Sequence, residues 1–123
     1  MRWLIPLLLF AVSACRGGDP QLAIALNASS GGDPARGSAV IQQYGCGSCH
    51  LIPGIAGASS LVGPPLISFS RRSFVGGELP NTPDNVASFI RTPQHIHPHS
   101  AMPTVGLSQE QARDVVAYLY TLR

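Results

Sequence analysis

Cys46-Gly47-Ser48-Cys49-His50, the sequence CGSCH, decides how this chain is read. Two thiols three residues apart on a helical turn face the same way, and each can close a thioether on one vinyl group of a single haem. The imidazole of His50 then lies beneath the iron and can bind it through a ring nitrogen. Gly47 and Ser48 are small enough for the backbone to lie close against the porphyrin edge. Two other chemistries use such a cysteine pair. A redox disulfide needs a βαβ setting, and none surrounds these residues. A zinc site would need two further ligands, which His95, His97 and His99 could supply. A histidine directly after the second cysteine is required by haem and unexplained by zinc. One covalent haem c is therefore the expected cofactor.

Iron held by His50 on one side needs a second axial ligand if it is to pass electrons without binding small molecules. Met1 is expected to leave with the N-terminal segment, which makes Met102, in Ala101-Met102-Pro103, the candidate. A thioether is soft and favours ferrous iron, so His/Met ligation raises the potential. A single loop methionine is by default a packing residue. Its position after the attachment motif and before the last helix points to the axial role. His99, three residues upstream, is the competitor and would give a bis-histidine haem of lower potential. The run His95-Ile96-His97-Pro98-His99 otherwise reads as an exposed polar loop.

Outward from the motif, three helices are expected. Asp33-Pro34 starts the first, an N-cap acceptor followed by a residue with preset φ, and it runs to about Gln43 and ends near Gly45. Thr82-Pro83 repeats that signal, with Val86, Phe89 and Ile90 at helical spacing until Pro93. Ser108 with Gln111 forms a capping box, and Ala112, Val115, Val116, Leu119 and Leu122 make an apolar stripe behind it. Residues 51–81 and 93–107 are rich in turn formers, and no period-two strand pattern persists. The fold class is all-α, three to five helices with long loops. Such loops are normally evidence against an assignment. Here a large apolar plate gives them something to wrap.

The chain of 123 residues has room for one domain. Its hydrophobic fraction of 45% supports a packed core. All eight basic residues are arginine and the formal charge is +2, so no basic stripe suggests nucleic acid and no lysine ring can be built for docking. Three cysteines do not make a disulfide framework. Cys15 stands apart, after Arg2, the apolar run Trp3–Val12 and the small residues Ser13 and Ala14. That is a secretory signal over residues 1–14, too short for a bilayer span of roughly 20 apolar residues. Val12-Ser13-Ala14-Cys15 resembles the lipobox of bacterial lipoproteins, in which the cysteine is lipidated. Residues 15–31 then form a lipidated N-terminus and flexible tether with a reach of about 20–25 Å. The domain, residues 32–123, is expected on the periplasmic side of a bacterial membrane, anchored through Cys15. Soluble secretion to the periplasm is the alternative.

With these residues assembled, the chain resembles the class I cytochrome c family over roughly residues 31–123. Gly32-Asp33-Pro34-Ala35-Arg36-Gly37 is similar to the family's first helix, where Gly37 would allow the last helix to cross closely, and Tyr118 matches the aromatic at that crossing. Gly63-Pro64-Pro65-Leu66 is similar to the family's G-P-x-L, which implies that the Pro64 carbonyl accepts a hydrogen bond from His50. Arg71 or Arg72 falls where the family places an arginine near a haem propionate. Leu79-Pro80-Asn81-Thr82-Pro83, Phe89-Ile90-Arg91 and Pro93-Gln94 look most like the cytochrome c domains fused to subunit II of some haem–copper oxidases, which usually have Trp at the place of Phe89. The resemblance implies a monomeric one-electron carrier of a respiratory chain, not an enzyme, that exchanges electrons with protein donors and acceptors, a terminal oxidase among them. A haem subunit permanently docked to a dehydrogenase or oxidase is the alternative. A haem sensor or peroxidase with a departing sixth ligand is a third reading.

Overall fold

A computed structural model describes residues 29–123. The apolar run Trp3–Val12, Cys15 and most of the expected tether lie outside the described residues. Four helices carry the described part: α1 (Pro34–Gln43), α2 (Pro83–Arg91), α3 (Pro93–Ile96) and α4 (Gln109–Leu119). A two-stranded ribbon, β1 (Phe74–Val75) with β2 (Leu79–Pro80), and two single 3-10 turns complete it.

Each long helix starts where its cap stands. The Asp33 carboxylate accepts from the Arg36 N–H at 2.9 Å, and Pro34 occupies the first turn of α1. Thr82 does the same for α2 through the Asn85 N–H at 3.3 Å. At α4 the Ser108 hydroxyl accepts from the Gln111 N–H at 3.1 Å while the Gln111 side chain accepts from the Ser108 N–H at 3.0 Å. Helix α1 stops at Tyr44 because Gly45 takes φ +68°, a left-handed conformation in which a side chain would be strained. Helix α2 stops at Thr92, since the following proline disfavours helical geometry there.

Helices α1 and α4 cross at the heart of the molecule. Gly37 makes the crossing possible: a Cβ there would lie 2.0 Å from the Asp114 carbonyl oxygen and 3.0 Å from the Tyr118 Cβ. Beneath the crossing Val40 and Ile41 of α1, Val86, Ala87 and Ile90 of α2, and Ala112, Val116 and Leu119 of α4 form one core. Val86 and Val116 are fully excluded from water, each worth about 1.5–3 kcal/mol relative to exposure. An ion pair locks the same place. Asp114, 3% exposed, receives the Arg36 Nε and Nη2 at 2.9 Å each and the Asp33 N–H at 2.7 Å. The Arg36 hydrogen bond holds the Asp114 carboxyl below its ordinary pKa, and the same bond raises that of Arg36.

Three features differ from the sequence reading. The ribbon was not expected: strands of two residues have no period to detect, although Gly76 and Gly77, with φ +60° and +78°, are the turn that pairs Val75 with Leu79. Pro93 ends α2 and also opens α3, so part of the expected histidine loop is helical. Residues 29–30 are helical, Ser30 is buried, and its carbonyl accepts from Arg113 Nη1 at 3.2 Å. Contact with the domain thus begins before Gly32.

Candidate functional site

The attachment motif sits where α1 has ended. Cys46–Ser48 is a single 3-10 turn entered through Gly45, and the Cys49 and His50 N–H groups both donate to the Cys46 carbonyl, at 3.3 and 3.0 Å. Both thiols are free and half-buried. Burial pushes the Cys46 thiol above its ordinary pKa, and Cys46 packs against the core from the outside. A Cβ on Gly47 would lie 2.8 Å from that of Ala58, so the turn is pressed against the loop that follows it.

His50 is fixed by that loop. Its Nδ1 lies 2.7 Å from the Pro64 carbonyl oxygen. A carbonyl can only accept, so Nδ1 carries the proton and Nε2 keeps its lone pair free for a metal. Gly63 packs flat on the same ring: an added Cβ would approach Cε1 to 2.6 Å and Nδ1 to 2.8 Å. The Gly63 N–H donates to the Cys49 carbonyl at 2.6 Å and the Leu66 N–H to the Leu51 carbonyl at 2.8 Å, so motif and Pro64 segment are laced together. This donor set, two free thiols on one turn beside an imidazole with an oriented lone pair, fits covalent haem c.

Met102 is half-buried and packs against the core. Its main chain is held on both sides: its N–H donates to the Ser100 hydroxyl at 3.2 Å, and its carbonyl accepts from Gln94 Nε2. Gln94 also takes the Thr104 hydroxyl at 2.8 Å, so one side chain of α3 clamps residues 102–104. Sequence reasoning noted Gln94 without this role, because a clamp between a short helix and a loop leaves no spacing signal.

The two arginines part company. Arg72 Nη2 donates to the Pro65 carbonyl and, at 3.5 Å, to that of Ile67, with its guanidinium 5.5 Å over the Phe69 ring. Arg71 ends the Phe69–Arg71 turn and is exposed. A second missed residue is Asn81. Its Nδ2 donates to the Phe69 and Arg72 carbonyls at 3.0 Å each, and its Oδ1 accepts from the Tyr120 hydroxyl at 3.0 Å. Burial pushes that phenol up to about 12. Tyr118 reaches the other loop, donating to the Pro53 carbonyl at 2.7 Å.

His97 lies 3.5 Å from Glu78 and stacks edge-on to His99, while His95 and His99 are exposed. Among the described residues no group of three or more His, Cys, Asp or Glu side chains is arranged to hold a metal ion, so the four-ligand zinc arrangement is not assembled.

Fold and site together define a small helical domain with a C-x-x-C-H turn, whose two thiols and oriented imidazole fit covalent haem. The chain belongs to the cytochrome c family: it matches the family model described as Cytochrome c over residues 34–123. A chain of this family binds haem c covalently and transfers electrons. It is also similar to cytochrome c oxidase subunit 2 of Alkalihalophilus pseudofirmus, 29% identical over 89 residues, which are 72% of this chain and 25% of that protein. The chain thus aligns with about a quarter of that longer relative. No solved structure gives a significant match. No helix among the described residues is long and apolar enough to cross a membrane.

Proposed function

We propose that this protein is a one-electron carrier with a single haem c, ligated by His50 and Met102, serving a respiratory chain from the periplasmic face of a membrane. The observation that carries the reading is the 2.7 Å contact between His50 Nδ1 and the Pro64 carbonyl, which fixes tautomer and ring orientation. When bound, haem supplies the chemistry, cycling between ferric and ferrous iron without reacting with a substrate. The chain's residues do the rest. Cys46 and Cys49 keep the cofactor from escaping, the Pro64 bond increases the donor strength of His50, and the Gln94 clamp presents Met102 from a fixed loop. Arg71, exposed beside the Pro64 segment in sequence, is available to a propionate, while Arg72 braces the carbonyls of Pro65 and Ile67. The protein acts as a monomer, held at the membrane by lipid on Cys15.

The likeness to an oxidase subunit favours a second reading, a haem subunit permanently docked to an oxidase. Gel filtration of the native membrane extract separates the two, since a docked subunit co-elutes with a large enzyme. For the ligands, ferric holoprotein should show the weak far-red band of iron–thioether ligation, and Met102→Ala should abolish it and open the reduced iron to carbon monoxide. Absence of the band in the unmutated protein would reject Met102.

A further inference from the structure

The segment that carries Met102 is tied down by one side chain. Among the described residues, hydrogen bonds connect residues 101–104 with Ser100 and Gln94 alone. Ser100 is a neighbour in the same loop, so Gln94 is the link to the body of the domain. Its base is firm. Pro93, just before it, is fully buried, and the His97 N–H donates to the Pro93 carbonyl at 2.8 Å to close the turn of α3. From there the Gln94 amide meets three groups with its two ends. Nε2 donates to the Met102 carbonyl and, at 3.4 Å, to that of Ser100, while Oε1 accepts from the Thr104 hydroxyl at 2.8 Å. Carbonyls can only accept, so the amino end must lie on their side and the oxygen must face Thr104. Beyond Thr104 the chain is next held at Leu107, whose carbonyl accepts from Arg91 Nε at 3.2 Å.

We propose that Gln94 is the positioning residue that keeps the Met102 thioether on the iron, and that Thr104 orients its amide. The inference rests on the Met102 reading above. It goes further, because it makes the polarity of the amide, and not its bulk, the working feature. Glutamate has the same length and shape, but at neutral pH its carboxylate is ionised. It would set an oxygen against two carbonyl oxygens and donate nothing. The clamp then separates two behaviours of one haem. Closed, it keeps the sixth position filled, and the protein passes electrons. Open, it frees the thioether to leave, and a small nitrogen ligand takes its place.

Imidazole titration of ferric holoprotein at neutral pH, read from the absorption spectrum, tests this. Apparent affinity rises as the fraction of protein with an open sixth position grows. Gln94→Glu should lower the imidazole dissociation constant by about ten-fold or more, Gln94→Ala by about five-fold and Thr104→Val by about three-fold, since each net hydrogen bond is worth a few-fold in such an equilibrium. Thr104→Ser keeps the hydroxyl and should match the parent. Hydrogen exchange of residues 101–105 should quicken in the same order while α1 and α4 stay as they were. A role in bulk alone predicts that Gln94→Glu behaves as the parent. That result, or a larger effect in Gln94→Ala than in Gln94→Glu, overturns the proposal. So does faster exchange spread through α1 and α4, which assigns the effect to a general loss of stability. Should Gln94→Glu fail to keep haem, Thr104→Val carries the test, and an unchanged dissociation constant there overturns the proposal. In each of these cases the far-red band of the parent leaves Met102 as the ligand. Its absence from the parent rejects Met102, and the clamp with it.

Discussion

The α1–α4 crossing and the loops around the haem motif are held together by different forces. At the crossing, side chains do the work: Gly37 lets two backbones touch, a valine-rich core lies beneath, and Asp114 gathers Arg36 and the Asp33 N–H. The loops instead rely on polar groups reaching backbone, such as Asn81 to two carbonyls, Gln94 to Met102, and His50 to Pro64. Of the apolar side chains there, Ile52, Ile55, Ala58 and Leu107 join the core while Leu61, Val62 and Ile67 are exposed. The difference teaches that the helices pack side chain on side chain, while the loops are tied mainly by polar groups to backbone and lend only a few apolar residues to the shared core.

The sharpest break of that contrast is the double substitution Cys46→Ser with Cys49→Ser, which should abolish covalent haem in the exported protein. Hydrogen exchange should then accelerate across residues 51–67 and 92–107 well before the α1–α4 crossing. Equal acceleration everywhere would mean that the scaffold has no independent stability. Next in size is Gly37→Val, which drives side-chain atoms into the Asp114 carbonyl and should cost more than about 3 kcal/mol in denaturant unfolding of holoprotein. Asn81→Ala strips two carbonyls and the Tyr120 hydroxyl of their partner, and about 2 kcal/mol should be lost. A loss below a few tenths would show the loop hydrogen bonds to be incidental.

The smallest effect is electrostatic. Asp114 has a depressed pKa when folded, so its contribution is complete above the unfolded carboxylate value, about 4, and disappears as pH falls through the lower folded value. Asp114→Asn should therefore cost about 1–2 kcal/mol at neutral pH, and the difference from the parent should shrink below about pH 4. A constant difference down to pH 2 would assign the effect to packing.

Legibility in the sequence followed the same division. Helix starts at Asp33, Thr82 and Ser108 and the core face of α4 were readable because caps and apolar periodicity are local signals. Gly37, Tyr118 and the Pro64 carbonyl were anticipated through family resemblance, and the structure has them at the crossing, on the Pro53 carbonyl and on His50. What escaped was long-range and polar. Asp114 reads as a surface residue on a helix until Arg36 is seen beside it, and Asn81 and Gln94 act on carbonyls many residues away. The ribbon at residues 74–80 is too short for alternation to register.

The central claim is a haem stitched to Cys46 and Cys49. Intact-mass measurement of the exported holoprotein after acid–acetone extraction tests it most directly. One haem should remain on the polypeptide, and a tryptic peptide containing residues 46–50 should carry it. A colourless polypeptide of unmodified mass, or zinc held at those sulfurs, would contradict the account.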